Sequence, residues 1–173
     1  EIAAIAEDVL PSGHGEVIAR DYGHEDMGIA EKCRRETMEV SMPQFLVGFK
    51  CPPAADGEAL MRQDIIADMA SDILLGDSSP LYQRLYDAGL INGSFGGGFD
   101  QLPGIAYLYA GGDSDRPEEV VRAILDEAQR LAREGVNEEF YQQIRRAGFG
   151  SALRALNSFE NIAVSLAVGT VRG

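Results

Sequence analysis

Residues 92–113 read NGSFGGGFDQLPGIAYLYAGGD, and this stretch decides the predicted fold. Its first half contains too much glycine for a helix, whereas IAYLYAGGD has the aliphatic and tyrosine content of a β-strand. The residues between the halves, Leu102, Pro103 and Gly104, have the chemistry of a tight turn. We therefore predict two antiparallel strands that are joined at these three residues.

Strand-forming residues also occupy residues 37–51, TMEVSMPQFLVGFKC. Met38, Val40 and Met42 alternate with polar residues, which predicts a strand with these three side chains on one face. Pro43 has no N–H group to donate to a neighbouring strand. We therefore expect a break at Pro43, followed by a second strand over QFLVGFK.

Helical periodicity fills most of the remaining sequence. The predicted helices cover residues 57–75, 80–89, 117–134, 137–156 and 159–171, and the opening IAAIAEDVL is either helix or linker. The order of the predicted elements is strands, two helices, two strands and three helices. This order favours an α+β fold whose antiparallel sheet has helices on one face. Because the last helix carries almost no charge, we predict that it is mostly buried.

Several residues predict where these helices begin, end and pack. Ser79 before Pro80 is typical of a helix start, as is Asn137, and Gly135 is typical of a helix end. We expect the following side chains to face inward: Met61, Ile65, Ile66, Met69, Ala70, Ile73, Leu74, Phe140, Tyr141, Ile144 and Ala147. Arg62, Asp64, Asp68 and Asp72 lie on the opposite, solvated side of the first of these helices.

The composition indicates one acidic domain of 173 residues. Its 28 Asp and Glu residues outnumber 15 Lys and Arg residues, which gives a formal charge of −13. This charge repels phosphate backbones and anionic lipids, so we expect neither a nucleic acid nor a membrane partner. Cys33 and Cys51 form no CxxC motif, and we interpret them as buried free thiols in a reducing compartment, hence a cytoplasmic protein.

The histidines exclude a zinc centre of the helical type within this chain. His14 is followed by Gly15 and Glu16, and His24 by Glu25, so neither belongs to an HxxEH or HxxE motif. We therefore predict no metal ligands and no cofactor in this chain.

Three further motifs have simpler structural interpretations. GDSSP at residues 76–80 is not a nucleophile elbow, because no histidine follows it. The glycine run at residues 96–98 lacks the ending of a phosphate-binding loop, and we expect it to let another backbone approach closely. Asp113, Ser114 and Asp115 resemble half of a calcium loop, but we interpret them as a turn and helix cap.

Three segments, taken in their order along the chain, resemble a known family. They are FLVGFK, then DIIADMASDILLGDSSPLYQRLYDAGLINGSF, then EEVVRAILDEAQRLAREGVNEEFYQQIRRAGFGSALRALNSFENIA. Together they resemble the second, non-catalytic domain of pitrilysin and insulinase-type zinc metallopeptidases, in the bacterial processing-protease-like branch. The resemblance implies the domain fold of the mitochondrial processing peptidase type. Two such domains enclose a chamber, and only the first carries zinc, on an HxxEH motif that this chain lacks.

The resemblance also points to two candidate substrate-binding residues. Many relatives place an arginine and a tyrosine in a stretch spaced as in LREKRGLAY. The stretch LYDAGLIN is one residue shorter here, with Tyr86 at the arginine position and Asn92 at the tyrosine position. Tyr86 and Asn92 are therefore the candidates for substrate contact, and we predict no catalytic residue in this chain.

The predicted function is that of the non-catalytic half of a zinc-metallopeptidase-like protein. Residues 1–36 form a linker into the domain, and residues 37–173 form a partial non-catalytic domain. The absence of an initial Met and the apolar run before Gly173 suggest a piece of a longer protein that self-associates. Its expected partners are a preceding catalytic-type domain or partner subunit and a peptide.

Two alternatives stay open on the sequence. One is a scaffold or subunit-interaction domain of an inactive peptidase homologue. The other is an unrelated enzyme that uses Tyr86, Asp87 and the acidic column in a polar cleft.

Overall fold

The computed structural model of the chain describes residues 2–10, 21, 23–54 and 57–172. These residues form an α+β domain. Its elements are α1 (Ile2–Val9), β1 (Gln44–Cys51), α2 (Gly57–Leu75), α3 (Pro80–Asp87), β2 (Gly96–Leu102), β3 (Ile105–Asp113), α4 (Pro117–Glu134), α5 (Glu138–Ala155) and α6 (Phe159–Arg172). The opening segment is helical at α1, and residues 23–36 contain no helix or strand. The loop predicted for residues 11–20 and 22 lies outside the described residues.

The three strands form an antiparallel sheet in the order β1-β3-β2. This confirms the predicted strand pair and its turn, where Gly104 has φ of 84°, a left-handed conformation that glycine adopts without strain. The third strand, QFLVGFK, is also confirmed as β1. Because β3 is central, β1 and β2 are the two edges of the sheet.

The register divides the side chains of the sheet between two faces. On one face Phe45, Val47 and Phe49 of β1 pack with Leu108 against the core formed by α2, α3 and α4. The core residues are Leu74, Leu75, Leu81, Leu85, Ile91, Phe95, Ala110, Val120 and Ile124. Within the described part of the chain no helix packs on the other face, which we call the open face.

The open face is defined by its residues in register across the three strands. They are Leu46, Gly48 and Lys50 of β1, Gly96, Gly98 and Asp100 of β2, and Tyr107, Tyr109 and Gly111 of β3. Leu46 is 79% exposed, which agrees with the absence of a covering layer.

Gly97 allows the closest approach between the sheet and α2. A Cβ atom at this position would collide with the backbone oxygen of Tyr109 and with Cδ1 of Leu75. The prediction of a close backbone approach at the glycine run is therefore confirmed at Gly97. Its effect is to bring the end of α2 down onto the sheet.

The helix ends follow their sequence signals. Ser79 Oγ accepts a hydrogen bond from the backbone N–H of Tyr82 at 3.1 Å, and Asn137 Oδ1 accepts one from Phe140 at 3.0 Å. Gly135 ends α4 with φ of 78°. These caps confirm the predicted starts of α3 and α5 and the predicted end of α4. The helix cap predicted at residues 113–115 is wrong: Arg116 precedes α4 and makes no side-chain capping hydrogen bond, and Ser114 Oγ accepts a hydrogen bond from the N–H of Arg116 within the turn. None of the helices in the described residues is both long enough and apolar enough to cross a membrane.

The strand predicted over residues 37–42 is wrong. This segment is irregular, and Met38 is 70% exposed. The pairing of β1 with β3 ends at Gln44 and Asp113, and a last hydrogen bond runs from the N–H of Ser114 to the oxygen of Pro43. Because the chain then turns into α4, residues 37–42 have no strand to pair with.

The predicted inner face of α2 is only partly correct. Ile73 and Leu74 are buried, but Met61, Ile65 and Ile66 are more than half exposed. The helix lies mainly over β2, an edge strand, so the outward side of its first half has no layer to cover it.

The prediction of a buried last helix is wrong. Phe159 in α6 is 92% exposed, and Leu166 is 68% exposed. An apolar helix is buried only if another element packs on it, and no described element packs substantially against α6. In α5 the side chains of Phe140, Tyr141 and Ile144 are half-buried, whereas Ala147 is exposed.

The prediction of two buried thiols is also corrected. Both cysteines are free, but Cys33 is exposed on the irregular segment and Cys51 is half-buried at the end of β1. Cys33 lies before the first strand, where no core surrounds it.

Candidate functional site

A hollow of about 380 Å³ lies on the open face. The paired residues Gly96 and Gly111 form its floor: a Cβ atom at Gly96 would meet nothing within 4 Å, whereas Cδ1 of Leu46 lies over Gly111. Leu46 and Tyr109 form apolar walls, and polar groups line the end at Asp113. The lining residues are Gln44, Phe45, Leu46, Ser94, Gly96, Tyr109, Gly111, Gly112 and Asp113.

The polar end of the hollow is a hydrogen-bonded cluster around the Asp113 carboxylate. Gln44 Nε2 donates to Oδ1 at 3.1 Å, and Asn92 Nδ2 donates to Oδ2 at 3.3 Å. Ser94 Oγ accepts a hydrogen bond from the Asp113 backbone N–H at 2.9 Å and donates one to Asn92 Oδ1 at 2.6 Å. Two side chains from separate segments, Gln44 and Asn92, therefore fix the orientation of the carboxylate, and Ser94 holds Asn92 in place.

These hydrogen bonds also affect the ionisation of Asp113. The hydrogen bond from Asn92, followed by that from Gln44 and by the contact with Ser94, lowers the pKa of the Asp113 carboxyl below its ordinary value of 3.8. The group is therefore ionised at neutral pH. Among the described residues, no Lys, Arg or His forms an ion pair with it.

Tyr107 and Tyr109 form an aromatic surface beside the hollow. Their ring centroids are 6.2 Å apart, with an angle of 50° between the ring planes. The Tyr109 ring leans over Gly98, since a Cβ atom there would lie 3.2 Å from the tyrosine hydroxyl. Glycine at this position therefore leaves space for the ring to lie along the sheet.

The structure places the two predicted site residues differently. Asn92 belongs to the Asp113 cluster at the hollow. Tyr86 is 54% exposed on α3, where its ring stacks on Tyr82 at 6.0 Å, and Tyr82 in turn contacts Phe95 at 5.9 Å. Neither residue lines the hollow itself: Asn92 reaches it only through its hydrogen bond to Asp113, and Tyr86 lies apart from it on α3.

Sequence reasoning missed the central role of Asp113 in this cluster. The sequence predicts Asp113 as part of a turn and helix cap, yet it is the last residue of β3 and pairs with Gln44. The available signal was the strand register: once β1 and β3 are aligned, Gln44 and Asp113 must lie side by side. The contribution of Ser94 comes from the turn before β2, whose conformation the sequence does not specify.

The acidic column of α2 is not a simple solvated stripe. Asp64 is half-buried and accepts a hydrogen bond from Gln101 Nε2 at 2.5 Å. Partial burial, together with the nearby carboxylates of Asp64 and Asp72, raises the pKa of Asp68. The predicted orientation of Asp64 toward solvent is therefore wrong.

An enzyme based on Tyr86 and Asp87 would need both side chains in a polar cleft, and the described residues do not form one around them. Both side chains are exposed on α3. Neither residue lines the hollow or the second cleft, which is described below.

The described residues do not fit a zinc ion. His24 Nε2 lies 3.1 Å from Asp26 Oδ1, and both side chains are more than four-fifths exposed. No group of three or more His, Cys, Asp or Glu side chains in this part of the chain is arranged to hold a metal. His14 lies outside the described residues.

A second cleft of about 510 Å³ lies beside the first half of α2. Ile66, Ala70, Phe99 and Leu108 give it an almost wholly apolar lining, and Arg62 is its one charged lining residue among those described. It lies on the helix-covered side of the sheet, so the two clefts are on opposite faces.

Comparison with known proteins identifies relatives over most of the chain. The sequence profile of the peptidase M16 inactive domain matches residues 17–147. The protein named uncharacterized zinc protease YmfH of Bacillus subtilis (strain 168) is 31% identical over 147 residues, which are 84% of this chain and 34% of the relative. A crystal structure of an M16-like peptidase from Alicyclobacillus acidocaldarius superposes with a TM-score of 0.73 at 28% identity, over 78% of this chain and 32% of the other. The chain therefore spans about a third of the length of either relative.

Proposed function

Because the chain belongs to the family of the peptidase M16 inactive domain, we propose that it is the non-catalytic half of a zinc-metallopeptidase-like protein. In that role it forms one wall of the chamber and the interface with a catalytic-type domain or partner subunit. It binds extended peptide and does not cleave it.

The observation that carries this proposal is the open face of the sheet. Among the described residues helices pack only on the opposite face, and the segment at residues 25–28 contacts the open face at Lys50, so the part of the open face around Leu46 stays accessible. An extended peptide fits such a surface because its side chains alternate with the same period as those of a strand. Tyr107 and Tyr109 offer rings for apolar contact, and the glycines beside them leave room for a second chain.

In this proposal any zinc belongs to the catalytic-type domain, and this chain supplies no ligand to it. That assignment is supported by the missing HxxEH motif and by the paired, exposed state of His24. Asn92 and Tyr86 remain the candidate substrate-contact residues: Asn92 orients Asp113, and Tyr86 presents an exposed ring. We also propose a cytoplasmic location, which the free thiols of Cys33 and Cys51 support.

Two assays on the purified chain test this function. An unstructured peptide incubated with the chain and added zinc should show no turnover above a control with chelator. The same peptide, unlabelled, should bind in a calorimetric titration. Turnover above the chelated control would contradict the non-catalytic role.

A matched pair of variants then tests where the peptide binds. Leu46→Ser on the open face should weaken binding, because Leu46 is a wall of the hollow and its side chain makes few contacts within the domain. Leu125→Ser on α4, also exposed at 42%, should leave binding unchanged. Equal effects of both variants on the Kd of the peptide would contradict the open face as the binding surface.

One observation favours a second candidate function, a scaffold or subunit-interaction domain of an inactive homologue. The exposed apolar residues of α6, including Phe159 and Leu166, form a surface suited to association with another protein. An HxxEH motif elsewhere in the parent protein or in a neighbouring reading frame would support the working peptidase. Its absence from both would support the scaffold.

A further inference from the structure

We propose that the hollow on the open face binds a lysine or arginine side chain of the peptide, with Asp113 as its anionic partner. This inference rests on the proposed function and names the class of peptide that the site selects. Three features favour such a side chain: the shape of the hollow, the negative charge of Asp113, and the pairing of Lys50 with other groups.

The hollow matches a long side chain with an apolar stem and a charged end. Because Cδ1 of Leu46 lies over Gly111, the open part of the floor is at Gly96, between Leu46 and Tyr109. Gly111 and Asp113 are two residues apart on one side of the strand, about 7 Å. That distance is comparable to the length of an extended lysine or arginine side chain, so the aliphatic stem lies over Gly96, which pairs with Gly111, and against Leu46 while the cation reaches Asp113.

The Asp113 carboxylate has the acceptor capacity for such a cation. A carboxylate has about four lone-pair positions. Gln44 and Asn92 each donate a single hydrogen bond, to Oδ1 and Oδ2 respectively. Both donors are neutral amides, so they orient the carboxylate without cancelling its charge, and an incoming ammonium or guanidinium group can form charge-assisted bonds.

No cation of the open face competes for Asp113. Lys50 lies at the other end of β1 and donates to the Glu25 carboxylate and to the backbone oxygens of Asp26 and Gly28. The Lys50 ammonium group is therefore already bound by the segment before β1. The overall charge of −13 further attracts a basic peptide and repels an acidic one.

The test uses the complete 173-residue chain and four unlabelled peptides of one length that differ only at the central residue: lysine, arginine, norleucine or glutamate. Both ends are blocked, so the central side chain supplies the only cation. Calorimetric titration at low salt should give a Kd about fivefold lower for the lysine and arginine peptides than for norleucine, with glutamate weakest. This preference should shrink as salt is added.

Variants assign the preference to one carboxylate. Asp113→Asn should bring the lysine and norleucine peptides to equal affinity, whereas Asp115→Asn, an equal change of charge at an exposed neighbouring position, should keep the preference. The far-ultraviolet circular dichroism and unfolding midpoint of each variant check its fold. If Asp113→Asn does not fold, the salt dependence of the unsubstituted chain still decides whether the preference is electrostatic.

The outcomes separate this inference from the proposed function. Equal binding of the lysine and norleucine peptides to the unsubstituted chain would overturn the inference and leave peptide binding intact. A preference that survives Asp113→Asn, or that is insensitive to salt, would also overturn it. Failure of all four peptides to bind would overturn both the inference and the proposed peptide-binding function.

Discussion

At the scale of single residues, glycine has two different uses in this sheet. Gly97 faces α2, where the space that a side chain needs is already occupied by Leu75 and by the backbone of Tyr109. Gly96 faces the opposite side, where a Cβ atom would meet nothing within 4 Å. Adjacent glycines therefore serve packing on one face and an empty hollow on the other.

We predict that Gly97→Ala lowers the free energy of unfolding by about 1–3 kcal/mol, because the added methyl group forces the strand and helix apart. Gly96→Ala is the matched control on the same strand and should cause little or no loss. Urea unfolding of both variants measures the difference. Equal stabilities would show that α2 does not pack on Gly97 as closely as described.

At the scale of the elements, α3 depends on the capping residue before it and on its contact with α4. Ser79 is fully buried and caps the helix. Further along α3, Arg84 Nη2 lies 2.8 Å from Glu127 Oε2, and Arg130 on α4 binds the other oxygen of the same carboxylate at 2.7 Å. The two helices are thus joined by a nearly buried carboxylate.

Ser79→Ala should lower the free energy of unfolding by about 1 kcal/mol, because the N–H of Tyr82 loses its acceptor. Ser78→Ala, one residue earlier and exposed, is the control and should change stability little. Thermal unfolding followed by circular dichroism compares the two. A larger loss for Ser78→Ala would contradict the assignment of the cap.

Glu127 should make stability depend on pH. The hydrogen bond from Arg130 is the largest cause that lowers the pKa of Glu127 below its ordinary value of 4.5, and Arg84 adds to it. A lowered folded-state pKa contributes stability above pH 4.5 that is lost as pH falls through the folded value. Glu127→Gln should therefore destabilise the chain at pH near 7 and reduce the loss of stability in acid.

Urea unfolding midpoints at neutral and acidic pH check the prediction for Glu127. Glu139→Gln, which removes an exposed carboxylate from α5, serves as the control. Identical pH dependence of the Glu127→Gln variant and the unsubstituted chain would contradict the role of this ion pair.

The elements that the sequence predicts correctly have strong local signals. The β2–β3 pair has its turn residues, and α2 and α4 have periodic apolar residues between clear ends. The strand over residues 37–42 and the burial of α6 could not be predicted because both depend on a neighbouring element that the structure lacks among the described residues. The Asp113 cluster was missed because it assembles from segments far apart in sequence.

At the scale of the whole molecule, one surface binds nothing within the described chain. The apolar side chains of Phe159, Val164, Leu166 and Val168 in α6 are exposed. An apolar surface of this kind favours association in water. It is separate from the hollow, which is formed by the sheet.

We predict that the chain self-associates through α6, and that its mass in light scattering rises with concentration. Leu166→Glu should shift the chain toward the monomer, because a charge on this surface disfavours its burial. Leu125→Glu on α4 is the control at another exposed leucine and should leave association unchanged. A clean monomer across all concentrations of the unsubstituted chain would contradict this prediction.

The most direct test of the peptide-binding role is an NMR titration of the ¹⁵N-labelled chain with an end-blocked, unstructured peptide. If peptide binds to the open face, the amide signals of Gly48, Gly98 and Gly111 should shift with peptide concentration, because these residues lie on that face of the three strands. The signals of Ala67 and Ala70, in the apolar cleft beside α2, should stay in place. Shifts confined to that cleft, or no shift at millimolar peptide, would contradict the account.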